Sequence, residues 1–105
     1  MSKLESAYKP QLIQRIGLRF EKYGAVWCQH NDPNMAGQQG IPDLTVYVGN
    51  KWFLLEVKRS EKSKKRPNQD WWIDEWSKVT FCSVIFPENE EEVLDAMERS
   101  LEAGG

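Results

Sequence analysis

An aspartate, a glutamate and a lysine near the middle of the chain are spaced so that their charges could meet at one place. Glu56 and Lys58 are separated by one residue in an apolar stretch, and on a β-strand such residues face the same side, roughly 6.5–7 Å apart. Asp43 and Glu56 lie at equal distances along the chain from the turn residues Gly49 and Asn50. Antiparallel pairing around that turn brings cross-strand Cβ atoms to roughly 4.5–5.5 Å. The spacing therefore predicts two carboxylates and one ammonium group in a single site.

This combination of groups is suited to hydrolysis of a phosphodiester bond. Two converging carboxylates repel each other and raise one pKa, and a hard divalent cation such as Mg²⁺ or Mn²⁺ removes that cost by accepting oxygen ligands. Glu56 lies between apolar neighbours, so it requires either a metal ion or an ion pair with Lys58. A lysine beside the metal could orient or deprotonate a bound water, or stabilise charge on a phosphate.

The elements that position these residues follow from the hydrophobic pattern. Apolar residues at helical spacing predict a first helix that ends before Gly24, and Pro10 is expected to mark its true start. The segment 30–40 predicts a long loop, and Pro67 is expected in the first turn of the second helix. The predicted elements are a helix at 4–23, strands at 25–29, 44–48 and 52–58, a helix from 67 onward, a strand at 80–86 and a helix at 88–102.

Composition predicts one domain spanning residues 1–105, with a core. Hydrophobic residues make up 40% of the chain, and no apolar run approaches the roughly 20 residues of a membrane span. The N-terminus lacks the pattern of a secretory signal, which favours the cytoplasm. One histidine and two distant cysteines, Cys28 and Cys82, argue against a zinc site and for free thiols.

The residues around the predicted site resemble a known nuclease signature. The sequence has Gly-Ile-Pro-Asp at 40–43 and, after a hairpin, Glu-Val-Lys at 56–58. This combination resembles the signature of the PD-(D/E)xK superfamily, and the residues Gly-Ile-Pro-Asp resemble its VRR-NUC branch in particular. The resemblance implies an α/β fold with a restriction-endonuclease-like αβββαβ core, to which this chain adds a C-terminal helix. It implies that four residues are catalytic: Asp43, Glu56, Lys58 and Gln69. It also implies that Asp43, Glu56 and Val57 bind the metal ion.

The first helix departs from the family pattern. The family commonly places a glutamate there as a further metal ligand, but this chain has glutamines in the corresponding region. Either Gln11 or Gln14 replaces the glutamate, or Glu5 reaches the site from a helix that begins before Pro10.

The resemblance also implies a substrate and an assembly. It favours a Mg²⁺- or Mn²⁺-dependent endonuclease that cleaves branched DNA, such as a four-way junction, as a homodimer. Trp71 falls outside the apolar stripe of the second helix, formed by Trp72, Ile73, Trp76 and Val79, so it is expected to be exposed, where it could serve a dimer interface or stack on a base. RNA is an alternative substrate, and the sequence has no 2′-hydroxyl-reading motif that would decide between RNA and DNA.

A basic segment after Lys58 could attract the DNA backbone. The chain as a whole has a formal net charge of −2, so any attraction for phosphate must be local. The candidate DNA-binding residues are Arg59, Lys62, Lys64, Lys65 and Arg66. The alternative functions are a DNA-binding module with little or no catalysis on the same scaffold, and an interaction protein that uses no metal.

Overall fold

A computed structural model describes residues 3–32, 40–65 and 67–104, with the side chains of residues 7–32 included and those of residues 3–6 not described. Within these residues, three α-helices and four strands follow one another in the order helix, three strands, helix, strand, helix. Their bounds are α1 Lys3–Phe20, β1 Val26–His30, β2 Leu44–Val48, β3 Lys51–Val57, α2 Gln69–Ser77, β4 Phe81–Ile85 and α3 Glu90–Ala103. The predicted mixture of helices around one sheet is therefore confirmed.

The four strands form one mixed sheet in the order β1-β2-β3-β4. The pairs β1–β2 and β2–β3 are antiparallel, and β3–β4 is parallel. A parallel pair needs a crossover connection, and in this chain α2 lies between β3 and β4 in sequence.

The two faces of the sheet bury different kinds of side chain. Phe53 and Leu55 point to one face, where they join a continuous apolar cluster with residues of α1 and α3. Leu54 and Glu56 point to the other face; both are buried, and Leu54 lies outside that cluster. Because α2 packs against β4, the second face is covered near β3 and β4. The carboxylate of Glu56 is thus on the face opposite the main core.

The first helix begins earlier than the sequence analysis predicts. Pro10 lies inside α1 instead of marking its start, although an interior proline removes a backbone hydrogen bond and costs roughly 3 kcal/mol. Two side chains before it are anchored: the buried Tyr8 hydroxyl donates to Glu90 at 3.0 Å, and Lys9 contacts Asp43. Both contacts hold the part of α1 that precedes the proline against the rest of the protein. The other end agrees with prediction, since α1 passes into a 3-10 turn at Glu21–Tyr23 that Gly24 caps.

The second helix begins at Gln69, so Pro67 precedes it instead of lying in its first turn. Trp72, Ile73 and Trp76 are half-buried, as their spacing predicts. Val79 lies beyond the end of the helix and is 64% exposed, so its predicted place on the apolar stripe is wrong. Trp71 is 56% exposed, which confirms the expected exposure. Across the described part of the chain, the helices are too short or too polar to cross a bilayer.

Candidate active site

The β2–β3 hairpin aligns the two predicted carboxylates. Its register pairs Leu44 with Leu55 and Val48 with Lys51, so Asp43, one residue before Leu44, comes opposite Glu56. The connection is the predicted two-residue turn, and Gly49 has a φ of 61°, in the left-handed region that glycine adopts without strain. Equal spacing around the turn therefore brings the two acids together.

Backbone and side-chain groups hold the two carboxylates in a fixed arrangement. The backbone N–H of Asp43 donates to Glu56 Oε1 at 3.1 Å, and the N–H of Val57 donates to Asp43 Oδ1 at 2.9 Å. The Nζ of Lys58 lies 3.4 Å from Glu56 Oε2, and both side chains are largely buried. Each acid is thus oriented by the strand that carries the other, and the predicted pair of Glu56 with Lys58 is formed.

A lysine that sequence reasoning missed completes the cluster. Lys9 of α1 places its Nζ 3.3 Å from Asp43 Oδ2, and each side chain is 26% exposed. Gln11 and Gln14, two of the three candidates for the first-helix position, are exposed on α1. The side chain of Glu5 lies outside the described residues. Among the described side chains of α1, Lys9 contacts Asp43 whereas Gln11 and Gln14 are exposed, and which residue takes the first-helix position stays a prediction.

The difference follows from the rotation of the helix. Leu12 and Ile16 are fully buried against the sheet, and residues three or four apart lie on the same helical face. Lys9 lies three residues before Leu12 and shares this face, whereas Gln11 and Gln14 lie on the other side. The spacing of Lys9 from Leu12 was a usable signal in the sequence.

A buried asparagine fixes the segment that leads into Asp43. The Asn31 side-chain amide donates to the Pro42 carbonyl at 3.0 Å and to Thr45 Oγ1 at 2.7 Å, and its backbone N–H donates to the Asp43 carbonyl at 2.9 Å. The side chains of Asn31 and Thr45 are both buried. Asn31 lies in the segment predicted as a loop, where nothing in the sequence marks it as a support for the site.

The loop before Asp43 is also packed against α2. Gly40 has a φ of 81°, and a Cβ built there would lie 2.2 Å from the indole ring of Trp72. Trp76 Nε1 donates to the Gly40 carbonyl at 3.2 Å. A glycine is required here both by the backbone conformation and by the close approach of Trp72.

The predicted basic residues follow Lys58 in the connection that leaves β3. Lys58 Nζ donates to the Lys64 carbonyl at 3.3 Å, so the catalytic candidate and the basic segment are directly connected. Lys62 and Lys64 are exposed, as is Arg59. Lys65 pairs with Asp70 of α2 at 3.0 Å, and both side chains are exposed. Arg66 lies outside the described residues.

Gln69 is the first residue of α2, and its side chain is buried. It follows Asn68, which has a left-handed backbone conformation with φ of 61°. An interior position is unusual for a glutamine and requires hydrogen-bond partners.

Two cysteines lie on the sheet as half-buried free thiols, Cys28 on β1 and Cys82 on β4. Burial raises the pKa of Cys28. The pKa of Cys82 rises to about 12, chiefly through burial and secondarily through the negative charge of Glu56. The raised pKa values favour the protonated, less nucleophilic form of both thiols.

The oxygen atoms at the site suit a hard divalent ion. Mg²⁺ is typically held by one or two carboxylates together with waters and substrate phosphates, and Asp43 and Glu56 supply two carboxylates. Val57 could add only its backbone carbonyl oxygen. Among the described residues, no group of three or more His, Cys, Asp or Glu side chains could hold a metal ion. The residues fit a metal site with two carboxylates and an additional cation, Lys9, beside them.

An open groove of about 440 Å³ lies at the opposite end of β3 from these carboxylates. Its lining includes Asn50 of the hairpin turn, Lys51 and Trp52 at the start of β3, and Thr80 and Phe81 where β4 begins. It is therefore separate from the carboxylate cluster.

Comparisons of the chain with protein-family models, with curated proteins and with solved structures found no match. The function of the carboxylate cluster must therefore be inferred from its own geometry and chemistry. The informative features are the paired acids, the two lysines beside them and the basic segment next to Lys58.

Proposed function

We propose that the chain is a metal-dependent nuclease with a restriction-endonuclease-like core, related to the VRR-NUC branch of the PD-(D/E)xK superfamily. The observation that carries the proposal is the alignment of Asp43 with Glu56 across the β2–β3 hairpin, with the Nζ of Lys58, the residue after β3, 3.4 Å from Glu56. A helix, three antiparallel strands, a crossover helix and a parallel fourth strand are the order of elements that this core requires.

Each residue has a defined role in phosphodiester hydrolysis. Asp43 and Glu56, together with the carbonyl of Val57, would hold Mg²⁺ or Mn²⁺, which when bound supplies Lewis-acid stabilisation of phosphoryl oxygens and a water of lowered pKa. Lys58 is placed to orient the attacking water or to stabilise charge developing on the phosphate. Gln69 is assigned a supporting role by the resemblance and by its buried position at the start of α2.

The substrate proposed is DNA, and the basic segment supports this choice. Arg59, Lys62 and Lys64 are exposed beside Lys58, so they can neutralise backbone phosphates close to the scissile bond. A structure-selective action on branched DNA by a homodimer is the form of the activity that the family resemblance favours. The exposed ring of Trp71 supports a surface for a second copy of the chain.

The test is cleavage of labelled four-way-junction, flap, duplex and single-stranded DNA, and of a matched RNA, with Mg²⁺, Mn²⁺ or EDTA. We expect metal-dependent cleavage that falls at least about a hundredfold in Lys58→Ala and in Glu56→Gln. Lys78→Ala is the matched control, because Lys78 is an exposed lysine paired with Glu75 outside the cluster. Equal cleavage by wild type and Lys58→Ala would refute the assignment.

A weak or inactive DNA-binding module is the second candidate function. The contact of Lys9 with Asp43 favours it, because this cation already neutralises one of the two carboxylates that would hold a metal ion. Tight DNA binding without cleavage of any substrate, in folded wild-type protein, would establish this alternative.

A further inference from the structure

Two lysines of the chain neutralise the negative charges of Asp43 and Glu56. Asp43 Oδ2 lies 3.3 Å from Lys9 Nζ, and Glu56 Oε2 lies 3.4 Å from Lys58 Nζ. The remaining oxygens, Asp43 Oδ1 and Glu56 Oε1, accept backbone N–H groups. The repulsion between the two acids, which usually favours a divalent cation, is thus already relieved by two ammonium groups.

We propose that Lys9 is an internal counter-ion that competes with the divalent metal ion for Asp43, so that metal binding requires displacement of the Lys9 ammonium group. The inference rests on the proposed function, because it takes Asp43 and Glu56 as the metal-binding carboxylates. It adds a regulatory residue on α1 that lowers the metal affinity of the site.

The two lysines differ in how freely they can move away. The Lys58 side chain is 14% exposed and also donates to the Lys64 carbonyl, so two contacts hold it in place. The Lys9 side chain is 26% exposed, and a lysine has a long stem with rotatable bonds that can carry its charge to solvent. Lys9 is therefore the cation that a metal ion displaces, while Lys58 remains beside Glu56.

The position of Lys9 on α1 makes the competition specific. Tyr8, its neighbour in sequence, is buried and donates to Glu90 of α3 at 3.0 Å, which fixes this part of the helix. Lys9 therefore projects from an anchored backbone toward Asp43. A glutamate at the same position would instead add a third carboxylate to the cluster.

The experiment is a titration of the full chain with Mn²⁺ alone, without DNA, followed by calorimetry and by the paramagnetic resonance of free Mn²⁺. Lys9→Met is expected to lower the Mn²⁺ dissociation constant by on the order of fivefold, the ratio that corresponds to loss of an ion pair of about 1 kcal/mol. Lys9→Glu is expected to lower it by at least about tenfold, because it adds an oxygen ligand.

The control for charge is Lys22→Met. Lys22 pairs with Glu98 at 2.9 Å and lies away from the cluster, so its removal is expected to leave the dissociation constant unchanged. Asp43→Asn in the Lys9→Met background is expected to abolish the gain in affinity. Circular dichroism of each variant verifies that α1 is folded, and Lys9→Glu provides a second test if Lys9→Met is unstable.

The outcomes separate this inference from the nuclease assignment. Unchanged or weaker Mn²⁺ binding by both Lys9 variants would overturn the inference, even if wild type cleaves DNA. Tighter, Asp43-dependent binding by the Lys9 variants would support it, even if wild type cleaves nothing. A gain in affinity of the same size in Lys22→Met would also overturn it, because the effect would then be one of net charge.

Discussion

At the scale of single residues, the site depends on polar side chains whose partners lie far away in sequence. Asp43 is contacted by Lys9, by the backbone of Val57 and, through its own carbonyl, by Asn31. Each partner fixes a different atom of the aspartate. The hydrogen bonds from Val57 and Asn31 keep the aspartate oriented independently of Lys9, the contact that a metal ion is proposed to displace.

Asn31→Ala is expected to reduce both stability and metal binding. The substitution leaves the Pro42 carbonyl and the Thr45 hydroxyl without the buried amide that contacts them, which costs about 1–3 kcal/mol. Urea unfolding measures the loss of stability, and Mn²⁺ titration measures the effect on Asp43. Gln14→Ala, an exposed substitution on α1, is the control and should change the unfolding free energy by less than about 0.5 kcal/mol. Equal values for both variants would contradict a supporting role of Asn31.

At the scale of elements, α2 and α3 hold the site from two sides of the sheet. Trp72 and Trp76 of α2 approach Gly40, three residues before Asp43. Glu90 of α3 accepts hydrogen bonds from Tyr8 and Arg15 of α1, at distances of 2.7 to 3.0 Å. The first contact fixes the loop that leads into Asp43, and the second fixes the helix that carries Lys9.

Gly40→Ala is expected to destabilise the protein and to weaken metal binding, whereas Gly17→Ala is expected to stabilise it. A Cβ at Gly40 would overlap Trp72 and would require a strained φ, at a cost of about 1–3 kcal/mol. Gly17 lies inside α1, and a Cβ there meets nothing within 4 Å, so alanine should add about 0.5–1 kcal/mol. Thermal unfolding of both variants measures the effects. A destabilised Gly17→Ala would contradict the open space beside it.

Glu90→Gln is expected to reduce stability at neutral pH but not in acid. Arg15, and to a smaller extent Tyr8, lower the pKa of Glu90 below its usual 4.5, against the opposing effect of burial. A lowered folded-state pKa stabilises the protein above the usual pKa, and that stability is lost as the pH falls through the lower folded value. The unfolding free energies of wild type and Glu90→Gln should therefore differ by about 1–2 kcal/mol at pH 7, and the difference should shrink below pH 4.5.

The control for this pH dependence is Glu92→Gln, because Glu92 is exposed on the same helix. Denaturant unfolding at a series of pH values measures both variants against wild type. A difference for Glu90→Gln that stayed constant down to pH 2 or grew in acid would show that the ion pair with Arg15 does not contribute as described.

At the scale of the whole molecule, the basic segment and the acidic first turn of α3 lie near the same end of the sheet. The backbone N–H of Lys58 donates to the carbonyl of Ile85 at the end of β4, and α3 begins shortly afterwards at Glu90. Attraction for a polyanion therefore depends on the exposed cations of the basic segment itself, because the net charge of the chain is −2.

The exposure of the basic segment predicts that DNA binding depends on salt through a few lysines. Lys62→Ala and Lys64→Ala should each weaken binding to every DNA sequence and reduce the slope of log affinity against log salt by about 1. Lys78→Ala should leave the slope unchanged, because Lys78 follows the last residue of α2 and pairs with Glu75. Fluorescence anisotropy with labelled DNA, in EDTA to prevent cleavage, measures the slopes. Equal slopes for all three variants would place the phosphate contacts elsewhere.

The sequence by itself determined the β2–β3 hairpin and the alignment of its acids. A two-residue turn fixes the register of an antiparallel pair, and strand alternation places Glu56 and Lys58 on one face, so both relations depend only on residues close along the chain. The order of helices and strands was predictable for the same reason, because the periodicity of apolar residues is a local property.

The tertiary structure alone decided which other residues join the cluster. Lys9 contacts Asp43 because α1 continues through Pro10 and packs with Leu12 and Ile16 against the sheet. Because proline is favoured at the start of a helix, the sequence predicts that α1 begins at Pro10. That prediction leaves Lys9 outside the helix and therefore outside the predicted site. Asn31 likewise supports Asp43 only because β1 pairs with β2. Such contacts depend on the packing of distant segments, whose free energy local sequence patterns do not reveal.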